Sequence, residues 1–339
     1  MAVSVVKLSP DGTLTPYPDA AWNGWRNAAP LDPATHFVCV QSVAFDGHGM
    51  LWVLDAAAAA NAFELAGGRK LVGIDRATKT VARVIPLGFG VMPQGSQAND
   101  MRFTPDGAHG VMTHSGQVGA LLAIDLRTGR VRRRLSGHPS MHTKNGVKIA
   151  VEGKPVVTAD GRGPSFAADG IAIDPRGERV YWQALTGRTQ YRLPMSVALD
   201  QAATPEQVAA AVERLGACPI ADGYCFSAAG VLCTTSPESN AIKRRQPDGS
   251  FATVVRDDRL RWPDSMAEGC DGELLVTASP IPDMTHYSPM QMGRPVATAL
   301  FRFKPRGKDR GTSPPGPAIR PNRANGRWRR RGRVTRLGT

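Results

Sequence analysis

Apolar and polar residues alternate along most of this chain in short runs, and the runs are broken by Asp-Gly, Pro-Asp-Gly and Thr-Gly turns. Alternation with a period of two marks strands with one buried face, and a tight turn between two such runs marks a hairpin. One unit recurs: an apolar run, a turn of the D-x-x-G kind, then a second apolar run. Its copies are Val43–Asp55, Met101–Thr113, Ile171–Trp182, Tyr224–Thr234 and Met266–Thr277. A second hairpin follows most copies: Leu71–Asp75 with Thr80–Leu87, Leu121–Leu126 with Val131–Leu135, and Ala241–Arg245 with Ser250–Val255. Two hairpins in series make a four-stranded antiparallel sheet, the blade of a β-propeller.

The chain begins differently. Val3–Leu8 and Thr13–Pro18 flank Ser9–Gly12 and supply only the outer hairpin of a further blade. The pattern therefore predicts an all-β fold over residues 1–304, a six-bladed β-propeller whose first blade is incomplete at the N-terminus. It also predicts a segment upstream of Met1 that holds the two missing strands. Four stretches interrupt the repeat as insertions: 56–68, 136–168, 196–220 and 279–298. In the third, Thr204 as N-cap, Pro205 at the first helical position and Gly216 at the end predict a helix over 204–215. Insertions of this kind shape the ligand mouth of a propeller.

Composition sharpens the picture in three ways. Among 339 residues, 36 Gly and 27 Pro argue for many short elements and against a helical bundle. No run approaches the length of a membrane-spanning helix, and Met1–Asp19 has no secretory signal pattern. The net charge of +13 would suggest a nucleic-acid partner, but residues 305–339 carry ten Arg, one Lys and one Asp. The basicity thus belongs to an aperiodic Arg/Pro/Gly tail, expected to be disordered, whose composition also fits a shifted reading frame. Neither a specific nucleic-acid partner nor a membrane is expected. Five Cys without CxxC spacing (Cys39, Cys218, Cys225, Cys233, Cys270) signal neither a zinc site nor a disulfide framework.

Candidate chemistry gathers at the starts of the inner strands, which converge on a propeller's channel. Asn99, Asp100, Asp169, Asp222 and Asp264 all hold that position in their repeats. Carboxylates crowded around one opening repel unless a cation or a cationic ligand joins them. An oxygen-only set suits calcium or magnesium, with Asp169 and Asp222 as the leading ligands. Asp222 could also act as a general base if its neighbours raised its proton affinity. The competing reading is local: an Asp before Gly often bonds only to nearby backbone and sets a turn. Weaker candidates are His138 and His142 as a metal pair, His114-Ser115 without a nucleophile elbow, and Gly67-Gly68 without the rest of a phosphate loop. Trp52, Trp182 and Trp262 read as packing between blades, and Phe89, Met92 and Tyr287 as walls of a mouth pocket.

Leu51–Asp55, Lys70–Asp75, Asn99-Asp100, Asp169-Gly170, Asp222-Gly223 and Trp262–Asp264 together resemble the major royal jelly/yellow protein family in its bacterial branch, over residues 5–304. The resemblance implies a six-bladed propeller, often secreted, with links to melanin chemistry such as dopachrome conversion and to binding of small biogenic amines. Gluconolactonase and regucalcin propellers are a related class and imply a divalent cation, usually calcium, in the channel. Asp169 and Asp222 match their ligand positions and Asn99 a substrate-facing one, while their first-blade Glu has no counterpart here. Two functions stay open at this level. One is a propeller that binds a small aromatic or amine-type molecule without catalysis. The other is a divalent-cation-dependent enzyme, either a lactone hydrolase or a dopachrome-type isomerase. A monomer is favoured, and the resemblance implies an extracellular or periplasmic location.

Overall fold

The computed structural model describes residues 3–58, 64–116, 118–269, 272–284, 286–288 and 298–303, together with the backbone of 335–337. A two-stranded sheet opens the chain, β1 (Val6–Leu8) paired with β2 (Leu14–Pro16). The first four-stranded blade is β3 (Val40–Phe45), β4 (Met50–Asp55), β5 (Lys70–Asp75) and β6 (Thr80–Pro86). The second is β7 (Ala98–Phe103), β8 (His109–His114), β9 (Ala120–Asp125) and β10 (Val131–Arg134). A small hairpin, β11 (Ala150–Val151) and β12 (Lys154–Pro155), lies in the insertion that follows. The third blade is β13 (Ala168–Ile173), β14 (Arg179–Ala184), β15 (Thr189–Pro194) and β16 (Glu213–Ala217). The fourth is β17 (Tyr224–Phe226), β18 (Leu232–Ser236), β19 (Ala241–Arg245) and β20 (Phe251–Arg256). The fifth is β21 (Pro263–Glu268), β22 (Leu274–Ala278), β23 (Ala299–Phe303) and β24 (Thr335–Leu337).

The protein is thus an all-β propeller, with five four-stranded blades among the described residues. The expected six is corrected on this point. The β1–β2 pair remains two-stranded because residues 17–39 run as turns and loops and contribute no further hairpin. That N-terminal stretch packs Val5 and Phe37 against Leu51, Val53, Val72 and Ile74 on one face of the first blade. The opposite face of the blade meets the second through Trp52, Leu54, Leu71 and Ile85 on one side and Met101, Met112 and Leu122 on the other. Trp182 and Trp52 are buried in such seams, as expected of blade packing.

The helix expected over 204–215 is shorter. It spans Pro205–Ala210, with Thr204 and Gln207 closing a reciprocal capping box. Glu213–Ala217 is instead the outer edge strand of the third blade, because Tyr191 and Arg192 of β15 offer it a ladder. A second short helix, Met195–Leu199, precedes it and buries Met195 and Ala198 in the same seam. Among the described residues no helix is long and apolar enough to cross a membrane. Most of the basic tail, and Cys270, lie outside the described residues; the tail's Thr335–Leu337 pairs with β23.

An acidic hub and its floor

The inner strands β3, β7, β13, β17 and β21 lie side by side in that order around the hub. Four of the five begin with the same local device. Between Val40 and Ser42, Ala98 and Met101, Ala168 and Ile171, and Pro263 and Met266, the ladder to the second strand slips by a bulge. A bulge re-aims the side chain it carries, and bulges recur beside functional sites. The bulged pairs are Gln41-Ser42, Asn99-Asp100, Asp169-Gly170 and Asp264-Ser265. Asp222-Gly223 holds the matching place just before β17.

In three of the five blades a threonine hydroxyl on the second strand bonds to the backbone at these positions. Thr235 Oγ1 accepts from the N–H groups of both Asp222 and Gly223 at 3.0 Å. Thr277 Oγ1 accepts from Ser265 N at 3.1 Å, and Thr113 Oγ1 donates to the Asp169 carbonyl at 2.7 Å.

The glycines explain why the acids converge. A Cβ on Gly170 would lie 2.5 Å from the Asp222 carbonyl oxygen. One on Gly223 would overlap the Asp264 carbonyl in the same way. Only glycine lets successive inner strands approach this closely. The result is a hydrogen-bonded belt. Gln41 Nε2 donates to Asn99 Oδ1 at 3.2 Å, and Asn99 Nδ2 donates to Asp169 Oδ1. The Asp169 and Asp222 carboxyls are in hydrogen-bonding contact. Trp262 Nε1 donates to Asp222 Oδ2 at 2.6 Å, while Asp264 accepts from Ser265 Oγ at 2.9 Å and Ser279 Oγ at 2.6 Å.

All five residues expected at the channel line one cavity of about 110 Å³, whose apolar wall is Phe166, Leu185, Trp262 and Ile281. Burial pushes Asp169 and Asp222 well above the usual carboxylate range, and the Asp264 charge pushes them further. Asp264 is raised by burial and then by Asp100, against the pull of its two serine donors. No ion pair to a basic side chain is present for Asp169, Asp222 or Asp264 among the described residues. Asp100 differs. Its Oδ1 accepts from Ser42 Oγ, Met101 N and Arg102 Nη1, each at 2.8 Å.

Arg102 also donates from Nη2 to the Tyr224 carbonyl at 2.9 Å. It therefore bridges the second blade to the fourth across the inner strand of the third. Sequence reading missed Gln41, Ser42, Arg102, Trp262 as a polar partner, and the threonines. Aligning the inner strands from the bulge would have found the first three. Arg102 then falls in a column with Ala44, Ala172, Cys225 and Ala267, where every other residue is small.

The weaker candidates disperse. Met92 is fully buried in the seam between the first two blades, and Phe89 is exposed with Arg69 5.7 Å over its ring. Tyr287 packs with Trp262 and Ile220 near the mouth. His138 caps a short turn by accepting from Ser140 N at 3.2 Å. Among the described residues, no three His, Cys, Asp or Glu side chains form a metal-holding group.

A propeller with a pocket of carboxylates at its hub is the class that fold and site define. The chain belongs to the major royal jelly protein family, whose family model matches residues 38–289. No curated protein sequence matches it. Among solved structures it is similar to a catalytically inactive virginiamycin B lyase from Staphylococcus aureus with quinupristin, at 12% identity and a TM-score of 0.44, covering 79% of this chain and 68% of that one. It is similar to a protein described as a gluconolactonase, at 12% identity and a TM-score of 0.42, covering 72% of each chain. It is also similar to a calcium-binding regucalcin from Agrobacterium tumefaciens, at 16% identity and a TM-score of 0.39, covering 72% of this chain and 83% of that one.

Proposed function

We propose that the hub binds a small amine-type molecule with an aromatic or apolar body, and that it does so without catalysis. One observation carries this reading: Asp169, Asp222 and Asp264 face one cavity with raised proton affinity and no basic partner among the described residues. Carboxylates held that way are relieved by a cation. Phe166, Leu185, Trp262 and Ile281 offer the apolar contact that a bare metal ion would not use. The protein is proposed to act as a monomer on small molecules, not on nucleic acid or membranes, in an extracellular or periplasmic setting.

The divalent-cation enzyme is the second reading. Its donor chemistry is right, since the set is all oxygen and Asp169 and Asp222 would hold the ion. The set is thin in acidic ligands: a calcium ion takes about six to eight oxygens, and among the described residues no three His, Cys, Asp or Glu side chains form a metal-holding group, so amide and carbonyl oxygens and water would have to complete the shell. In that reading Asp222, with its raised proton affinity, would serve as the general base.

Isothermal titration with tyramine, in the presence and absence of a chelator, separates the two. The binding reading expects one site with affinity unchanged by chelation. Absence of tyramine binding, together with turnover of a lactone or dopachrome that chelation abolishes, would replace it with the enzyme.

A further inference from the structure

We propose that Arg102 is the charge selector of the hub, tuning it for a singly charged ammonium and against a divalent metal ion. This rests on the cation-binding reading of the same cavity. Inner-strand side chains at this register are otherwise Ala44, Ala172, Cys225 and Ala267. A long cation in a column of small residues is not required for blade packing, because four other blades pack without one.

The guanidinium has specific work there. Its Nη1 donates to Asp100 Oδ1 at 2.8 Å and to the Met101 carbonyl at 2.7 Å, and its Nη2 reaches the Tyr224 carbonyl at 2.9 Å. With Ser42 Oγ and Met101 N on the same Asp100 oxygen, that oxygen is saturated by donors. Asp100 lines the cavity with the three other acids, and Arg102 pairs with its charge and takes up part of its Oδ1. The guanidinium also places a fixed positive charge beside Asp100, at the wall of the pocket. That charge opposes a dication about twice as strongly as a monocation at the same point, since Coulomb energy scales with the ligand's charge. A hard dication further needs many oxygens, and Asp100 Oδ1 is already held by three donors.

The test compares wild type, Arg102→Met and Arg102→Lys, each checked for an intact fold by circular dichroism and thermal melting. Each is titrated with tyramine and, separately, with calcium chloride, and read by calorimetry. In Arg102→Met, calcium affinity is expected to rise at least 100-fold and tyramine affinity by no more than about tenfold. Arg102→Lys, which keeps the charge, should return the calcium-to-tyramine ratio to within about threefold of wild type. An unchanged ratio in a folded Arg102→Met protein overturns the proposal. So does a Lys variant that behaves like Met, because the guanidinium would then act through shape and not charge. If wild type binds no tyramine, the amine reading fails on its own. The calcium gain in Arg102→Met still decides the role of Arg102.

Discussion

Among the places where the described residues enclose acidic side chains, two treat them in opposite ways. At the end of the second strand of the first blade, Asp55 is fully buried and completely partnered. It accepts from Val38 N at 2.8 Å, from Cys39 N and Ala57 N at 2.9 Å, and from Lys70 Nζ at 2.8 Å. Lys70 is also fully buried and donates to the carbonyls of Pro33, His36 and Gly68 as well. At the hub, Asp169, Asp222 and Asp264 have amide, indole and hydroxyl donors and, among the described residues, no ion pair to a basic side chain. The first arrangement ties the N-terminal strap to a blade. The second leaves charge in want of a partner, which is what a binding site requires and a scaffold avoids.

The sharpest way to break this contrast is to remove the cation of the satisfied pair. Lys70→Met leaves Asp55 buried without its counter-charge and should cost about 3–5 kcal/mol in urea unfolding. Adding Asp55→Leu should not restore the loss, because the amides of Val38, Cys39 and Ala57 would then lack their acceptor. A loss under about 1 kcal/mol for Lys70→Met would show that the pair is not the tie we take it to be.

A second test uses the pH dependence of stability, where a buried base and the hub acids pull in opposite directions. His114 is buried, and its pKa is lowered to about 4, first by burial and then by Arg133 and Arg69. Its folded-state value lies below the unfolded 6.5, so its contribution is present above 6.5 and is lost as pH falls toward 4. That loss is on the order of 3 kcal/mol. The hub acids have folded-state values above the unfolded 3.8. Their contribution is present below 3.8 and is lost as pH rises through the raised values. Thermal melts from pH 4 to 8 should therefore show His114→Gln flattening the acid side only. A His114→Gln profile parallel to wild type between pH 4 and 6.5 would contradict the assignment.

The close approach of inner strands can be tested directly. Gly223→Ala forces a methyl against the Asp264 carbonyl and should cost about 1–3 kcal/mol while weakening tyramine binding. Gly47→Ala is the control, since a Cβ there meets nothing within 4 Å and any cost comes from its φ of +80° alone. If the two variants bind tyramine equally, hub spacing does not set the site.

Much of this was legible in the chain because a repeated hairpin advertises itself through period-two alternation and turn glycines. Asn99, Asp100, Asp169, Asp222 and Asp264 were found together for that reason: each sits at a fixed offset from an apolar run. Arg102 was hidden because its meaning depends on a carbonyl 122 residues away, on a blade not adjacent to its own. Trp262 was read as packing because burial and hydrogen bonding look alike in sequence; its ring is buried while its N–H serves Asp222. The strand Glu213–Ala217 was hidden behind a strong helix start at Thr204-Pro205, since a local cap is visible and a distant ladder is not. The blade count failed for a related reason. A hairpin such as β1–β2 carries the alternation of a blade without the two further strands that complete one.

The smallest expected effect is also the one that most directly separates a site from a scaffold. Asp222→Asn removes a charge that the fold disfavours and keeps an oxygen for the Trp262 N–H. At pH 8 the variant should be more stable than wild type by about 1 kcal/mol, the usual size of a gain when a functional group held against its own preference is replaced. The gain should shrink as pH falls, because wild-type Asp222 then takes up the proton that its surroundings favour. Lys70→Met, by contrast, should stay destabilising at both ends of that range, as its cost is a missing partner. Tyramine affinity of Asp222→Asn should drop by at least tenfold while stability rises. A variant that is less stable at pH 8, or that binds tyramine as tightly as wild type, would mean Asp222 belongs with Asp55 among the acids that hold the fold together.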